Sequence, residues 1–173
     1  MSFNLDEALK ELGITEDVIK ACPMPLSEEC TDLVDAGLDL FDRPQQMTPP
    51  TFEAWCAMKT AAKSDSLELS LVSAYRSIEY QCELIHRKLG KGRLIDDILM
   101  VNAIPGYSEH HTGRALDLHA GDGKPLESEF ENHPAFAWLC GNAAEFNFHL
   151  SYPRDNPSGI DYEPWHWCFS HDI

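Results

Sequence analysis

The sequence has no apolar run approaching the roughly 18 residues that a bilayer-crossing helix needs, so membrane insertion is not expected. Its opening residues, MSFNLDEALKELGI, lack the basic start and apolar stretch of a secretory leader, which points to a cytoplasmic protein. Basic charge is scarce: 13 Lys and Arg stand against 29 Asp and Glu, a formal charge of −16. Such a surface repels phosphate backbones and anionic lipid over a Debye length, so nucleic acid is not an expected partner. The six cysteines form no CxxC pair and no metal-finger spacing, and in a reducing compartment they read mostly as small buried hydrophobes. Internal repeats and low-complexity segments are absent too.

What is present is an ordinary globular composition, 43% hydrophobic and 24% charged over 173 residues, enough for one sizeable core. A single domain, 1–173, is expected, with residues 1–60 as a helical and Pro-rich N-terminal extension and 61–173 as the core. Asn4 and Glu7 stand at capping-box spacing before Leu5, Leu9 and Leu12, and Gly13 stops that first helix. Five prolines between 22 and 50 predict an irregular surface wrap, followed by a helix from Thr51 to about Ala62. Leu67, Leu69 and Leu71 alternate as a strand running to Ala74. Ser77 caps a helix with Ile78, Cys82, Ile85 and Leu89 at helical spacing, closed by Gly90, and Leu94–Leu99 reads as a further short helix. Strands follow around Arg114–His119, from Phe148 towards Tyr152 and over Trp165–Phe169, separated by a helix that starts at Pro134 and stops at Asn147. Helices early, strands mostly late and no regular βαβ alternation predict an α+β fold with a small, mainly antiparallel sheet and helices packed on it.

Two clusters of possible metal ligands stand out, SEHHTGRALD at 108–117 and EPWHW at 163–167. A catalytic zinc takes three protein ligands of the His and carboxylate type and leaves a fourth position open. His110 in a loop and Asp117 in a strand converge on one ion if the chain folds back at Gly113, with His166 arriving from another strand, which places the zinc site on the sheet. The remaining histidines carry ordinary readings: His86 and His133 as surface or capping residues, His119, His149 and His171 as hydrogen-bonded structural groups. His111 adjoins His110, but neighbours in an extended segment point opposite ways.

SEHHTGRALD, with YEPWHW downstream and SAYRS upstream, resembles the zinc D-alanyl-D-alanine carboxypeptidases of the VanY type, within a larger group of peptidases sharing SxHxxGxAxD and ExxH. The resemblance runs over residues 60 to 170. It implies a zinc metallopeptidase in which His110, Asp117 and His166 hold the metal and Glu163 acts as general base. Arg76, the Arg of the YRS segment, is implied as the group that stabilises the oxyanion or grips a substrate carboxylate. Gln81, Tyr107, Ser108, Ser151 and Tyr152 lie in or beside the matching segments as candidate substrate contacts. The substrate so implied is a peptide or muropeptide ending in D-alanine or a similar residue. The same motifs serve L,D-carboxypeptidases, D,D-dipeptidases and cell-wall endopeptidases, and a zinc-binding module without catalysis is the alternative of another class. One departure is clear: after WHW the family commonly carries Arg, where this chain has Cys168 on the same side of its strand as His166.

Overall fold

The computed structural model describes residues 3–170. Helix α1 (Leu5–Glu11) is capped by Asn4, whose side chain accepts from the backbone of Asp6 and Glu7. A second short helix, α2 (Glu16–Ala21), is additional to the sequence expectation. Its signal was present in Thr15, which caps it by accepting from the Val18 backbone N–H at 3.4 Å. α1 packs on α4 (Ile78–Gly90) and, with α5 (Ile95–Leu99), encloses a small core of Leu9, Leu12, Ile14, Cys82, Ile85, Ile98 and Ile104.

The Pro-rich stretch departs from expectation. Residues 34–47 are a hairpin, β1 (Val34–Leu38) and β2 (Pro44–Met47), where an irregular wrap was expected. Proline hid it: Pro44 occupies the first position of its strand, the one place where a missing N–H costs little. The hairpin leads into α3 (Pro49–Ser64), which begins two residues before the expected Thr51 because Thr48 caps it and two prolines suit its first turn.

The main sheet has the order β3–β4–β6–β5 and is antiparallel throughout. Its strands are β3 (Ser70–Ser73), β4 (Ala115–His119), β5 (Phe148–Leu150) and β6 (His166–Phe169). Between β4 and β5 lies α6 (Pro134–Asn142), continued by a 3₁₀ turn, Ala143–Phe146, that stops where Asn147 adopts φ 62°. Strand alternation sends Leu116 and Leu118 of β4 and Trp167 and Phe169 of β6 to one face. There they join Trp55, Met58, Leu139 and Phe148 in the principal core. Burying each such side chain contributes about 1.5–3 kcal/mol. The opposite face receives Asp117, His166 and Cys168, and the register sets Asp117 directly beside His166. No helix among the described residues is long and apolar enough to cross a membrane.

Candidate metal centre

β4 and β6 deliver Asp117 and His166 as an adjacent cross-strand pair, and a 3₁₀ helix, Glu109–Thr112, brings His110 to them. Ser108 caps that helix, its hydroxyl accepting from the His110 backbone N–H. Gly113 ends it at φ 70°, in the left-handed region, and its conformation is not the only constraint. A Cβ there would stand 2.9 Å from a Leu33 methyl and 3.1 Å from that of Thr48. The glycine of the motif is therefore needed twice, for the turn and for the close approach of α3's cap.

The three side chains converge. His110 Nε2 lies 3.3 Å from Asp117 Oδ1, and His166 Nδ1 lies 3.2 Å from the same oxygen. Yet His110 Nε2 and Asp117 Oδ1 are buried without a hydrogen-bond partner. Polar atoms this deep are ordinarily satisfied, so lone-pair-bearing atoms that sit close together without bonding to one another fit a shared cation between them. Four-coordinate zinc with bonds of about 2.0–2.1 Å separates its ligand atoms by roughly 3.3 Å, and the observed spacing fits.

The imidazoles are pre-oriented from behind. His110 Nδ1 donates to the Ala74 carbonyl at 2.6 Å, which leaves the Nε2 lone pair facing the centre. Burial, and after it the Arg76 charge, presses His110 down to about 4, keeping it neutral. His166 Nε2 donates to Glu109 at 2.8 Å, and Ser151 Oγ donates to that same carboxylate oxygen at 2.6 Å. Burial pushes Glu109 up, but its His166 and Ser151 partners outweigh this and hold it at about 2. For His166 burial opposes charge, while its neighbours Asp117 and Glu109 carry it up to about 10. Burial likewise works against the Asp117 carboxylate, which His110 and His166 nonetheless hold well below the usual range. The pocket thus favours positive charge at its centre, as a proton or as a metal ion.

A cavity of about 500 Å³ opens over the triad, lined among others by Arg76, Gln81, Lys88, Ser108, Tyr152, Glu163 and Trp165. Glu163 is 7% exposed and places Oε2 3.7 Å from His166 Nδ1. Burial raises its carboxyl to about 8, against the pull of the His166, Arg76 and Lys88 charges. Arg76 donates through Nη1 to Gln81 Oε1 at 3.1 Å and reaches within 3.8 Å of Asp117 through Nη2, while its buried Nε has no partner. Gln81 is fixed in turn by donating to the Ala103 carbonyl.

Of the candidate contacts, Gln81, Ser108 and Tyr152 line the cavity. Ser151 sits behind His166 on Glu109, and Tyr107 packs against the α1–α4–α5 core. His111 is no part of the triad. Its segment is 3₁₀ where an extended one was expected, and its ring is used up structurally, accepting from the Gly106 N–H and donating to the Arg76 carbonyl. Two residues escaped the sequence reading. Glu109 lies inside the motif, though its position just before His110 and His111 gives no hint that it serves His166. Lys88 carried only the look of a basic helix end; it donates to Asn102 and, among the described residues, has no carboxylate at ion-pair distance.

Residues 44–172, three-quarters of the chain, match the family of VanY, D-alanyl-D-alanine carboxypeptidase. The chain belongs to the VanY family. It is 31% identical over 159 residues to YodJ of Bacillus subtilis, a match covering 86% of this chain and 57% of that protein, so the chain spans little more than half of its relative's length. The solved LdcB LD-carboxypeptidase superposes with a TM-score of 0.72 at 29% identity, over 84% of this chain and 71% of that one. A vancomycin-resistance D,D-pentapeptidase VanY, solved with Zn(II), shares the VanY fold at a TM-score of 0.60 and 23% identity, covering 87% of this chain and 80% of that one.

Proposed function

We propose that the chain is a zinc-dependent carboxypeptidase that hydrolyses the terminal D-alanine, or a similar residue, from peptidoglycan-type peptides. The observation that carries this reading is the set of two unsatisfied ligand atoms, His110 Nε2 and Asp117 Oδ1, aimed with His166 at one point on the floor of a cavity that also holds Glu163 and Arg76. His110, Asp117 and His166 hold the ion. Zinc there supplies a Lewis acid that polarises the scissile carbonyl and makes water a stronger acid.

The remaining work falls to this chain's own side chains. Glu163 takes the proton of the attacking water and delivers it to the departing amine. Its burial suits both halves of that task, because a carboxyl lifted towards neutrality accepts and releases a proton with little free-energy change. A dication held by the triad would act in the opposite direction and favour the ionised base at rest. Arg76, held by Gln81 in the cavity wall, is the group assigned to stabilise the oxygen that gains charge in the transition state. Lys88 and Arg93 add further cations to the lining of the cavity. Burial, and next the Arg93 and Arg76 charges, brings Lys88 down to about 8, and a substrate carboxylate would relieve that crowding. In a chain of net charge −16, this cationic wall is a local exception.

The test is hydrolysis by the zinc-loaded protein of a panel containing D-Ala-D-Ala, L-Lys-D-Ala and longer muropeptides, with products identified by mass. Release of a single C-terminal D-residue is expected. Internal cleavage would reassign the chain to the endopeptidases, and failure on every peptide with zinc bound would leave a binding module.

A further inference from the structure

We propose a second metal site, formed by Glu109, His149 and Cys168, one step along the same sheet face from the triad. In β6, Cys168 lies two residues beyond His166 and so projects to the same side. Its cross-strand neighbours are Ala115 in β4 and His149 in β5. Ala115 contributes only a methyl group and no ligand atom, whereas Cys168 and His149, directly opposed, bring their side chains within mutual reach. The Glu109 carboxylate closes the third corner from the 3₁₀ helix.

One oxygen from Glu109, one ring nitrogen from His149 and the Cys168 sulfur lie within 4.8 Å of one another. A four-coordinate ion with a metal–sulfur bond of about 2.3 Å and metal–nitrogen or –oxygen bonds of about 2.0–2.2 Å draws such atoms to roughly 3.5 Å. His149 is exposed and free to make that adjustment by a rotamer change, whereas Cys168 is buried and already fixed. Thiolate, imidazole and carboxylate together select zinc or cobalt over magnesium and calcium, which prefer oxygen alone. On binding, the thiol gives its proton to solvent and the sulfur forms the new bond; no electron changes hands. Glu109 belongs to both sites, since its Oε2 holds His166 Nε2 while its carboxylate also interacts with the Cys168 thiol. An ion at the second site is thereby coupled to the imidazole of the first.

The sulfur separates the two sites spectroscopically, because the triad of His110, Asp117 and His166 contains none. Metal-free full-length protein is titrated with Co(II). Two equivalents are expected, one of them accompanied by a near-ultraviolet thiolate-to-cobalt charge-transfer band. Cys168→Ala and His149→Ala should each bind one equivalent, lose that band and keep the visible spectrum of the triad site. His149→Ala removes an exposed side chain, so it reports even if the buried Cys168→Ala variant folds poorly. A single equivalent without a sulfur band, two equivalents without a sulfur band, or a band that persists in His149→Ala would overturn the assignment. None of these readouts depends on peptidase activity, so the proposal fails or stands separately from the function of the first site.

Discussion

Asp39 and Asp117 are both buried aspartates within reach of arginine, and they differ in what surrounds them. Asp39 accepts from the backbone N–H groups of Phe41 and Arg43, from Arg43 Nε at 2.7 Å and from Gln45 Nε2 at 2.8 Å. Every direction of its carboxylate is answered. Asp117 has two imidazoles and a guanidinium close by, yet Oδ1 bonds to nothing. A satisfied buried carboxylate ties a fold together, while an unsatisfied one held among oriented ligands leaves a binding position. The two are joined through the backbone. Gln45 bonds to Asp39 at one end and accepts from the Ala74 N–H at the other, and the Ala74 carbonyl holds His110. The tie at Asp39 therefore braces the socket at Asp117.

The largest effect is expected at the socket. Glu163→Gln keeps size and polarity but cannot accept a proton, so turnover should fall by about 10²- to 10⁴-fold with zinc content unchanged. Measuring bound zinc and peptide hydrolysis on one preparation separates chemistry from binding. Full turnover would remove Glu163 as the base, and lost zinc would make it a ligand.

The contrast between the two aspartates is broken or upheld by truncating each. Asp39→Ala leaves four donors unanswered and should destabilise the fold by about 2–3 kcal/mol, while melting still shifts on adding chelator. Asp117→Ala should abolish metal retention, so that its melting curve is the same with and without chelator. Thermal melts of both variants with and without chelator decide it: identical responses would mean that the socket and the tie are the same kind of residue. A smaller loss, about 1–2 kcal/mol, is expected for Gly113→Ala, from a left-handed backbone and a methyl pressed against Leu33 and Thr48. A denaturant midpoint equal to wild type would show that the Thr48 cap moves aside without cost.

The socket was legible in sequence because its two segments, distant in the chain, resemble the paired motifs of the VanY-type peptidases. SEHHTGRALD carries the candidate ligands His110 and Asp117 and EPWHW carries His166, and alternation in β4 and β6 sends Asp117 and His166 to one face. The tie was not legible. Asp39, Gln45 and Ala74 meet only through the hairpin at 34–47, where Gly37 and Pro44 mask strand character and no apolar alternation marks a buried side. Glu109 was hidden for a related reason. Its partner His166 is 57 residues away in sequence, and nothing in a lone carboxylate beside two histidines announces which imidazole it serves. Strand order shares this limit, since β6 enters between β4 and β5 by a pairing that periodicity does not encode.

The smallest effect sharpens the comparison through pH. Burial alone would raise the Asp39 carboxyl, but the Arg43 and Phe41 backbone N–H groups and the Arg43 guanidinium outweigh it, and the net displacement is downward. A carboxyl depressed in the folded state contributes stability that is fully present above its unfolded pKa, about 3.9, and that disappears as pH falls through the lower folded value. Each tenfold loss of proton affinity on folding corresponds to about 1.4 kcal/mol. Asp39→Asn carries no such titration. The stability difference between wild type and Asp39→Asn should therefore be flat from about pH 5 to 8 and shrink steadily below about pH 4. Urea unfolding at stepped pH on the metal-free forms of both proteins isolates this contribution from the socket, whose ligands also titrate. A difference that stays constant down to pH 3 would show that Asp39 keeps its hydrogen bonds when protonated, and that its neighbours hold a carboxyl group rather than a charge.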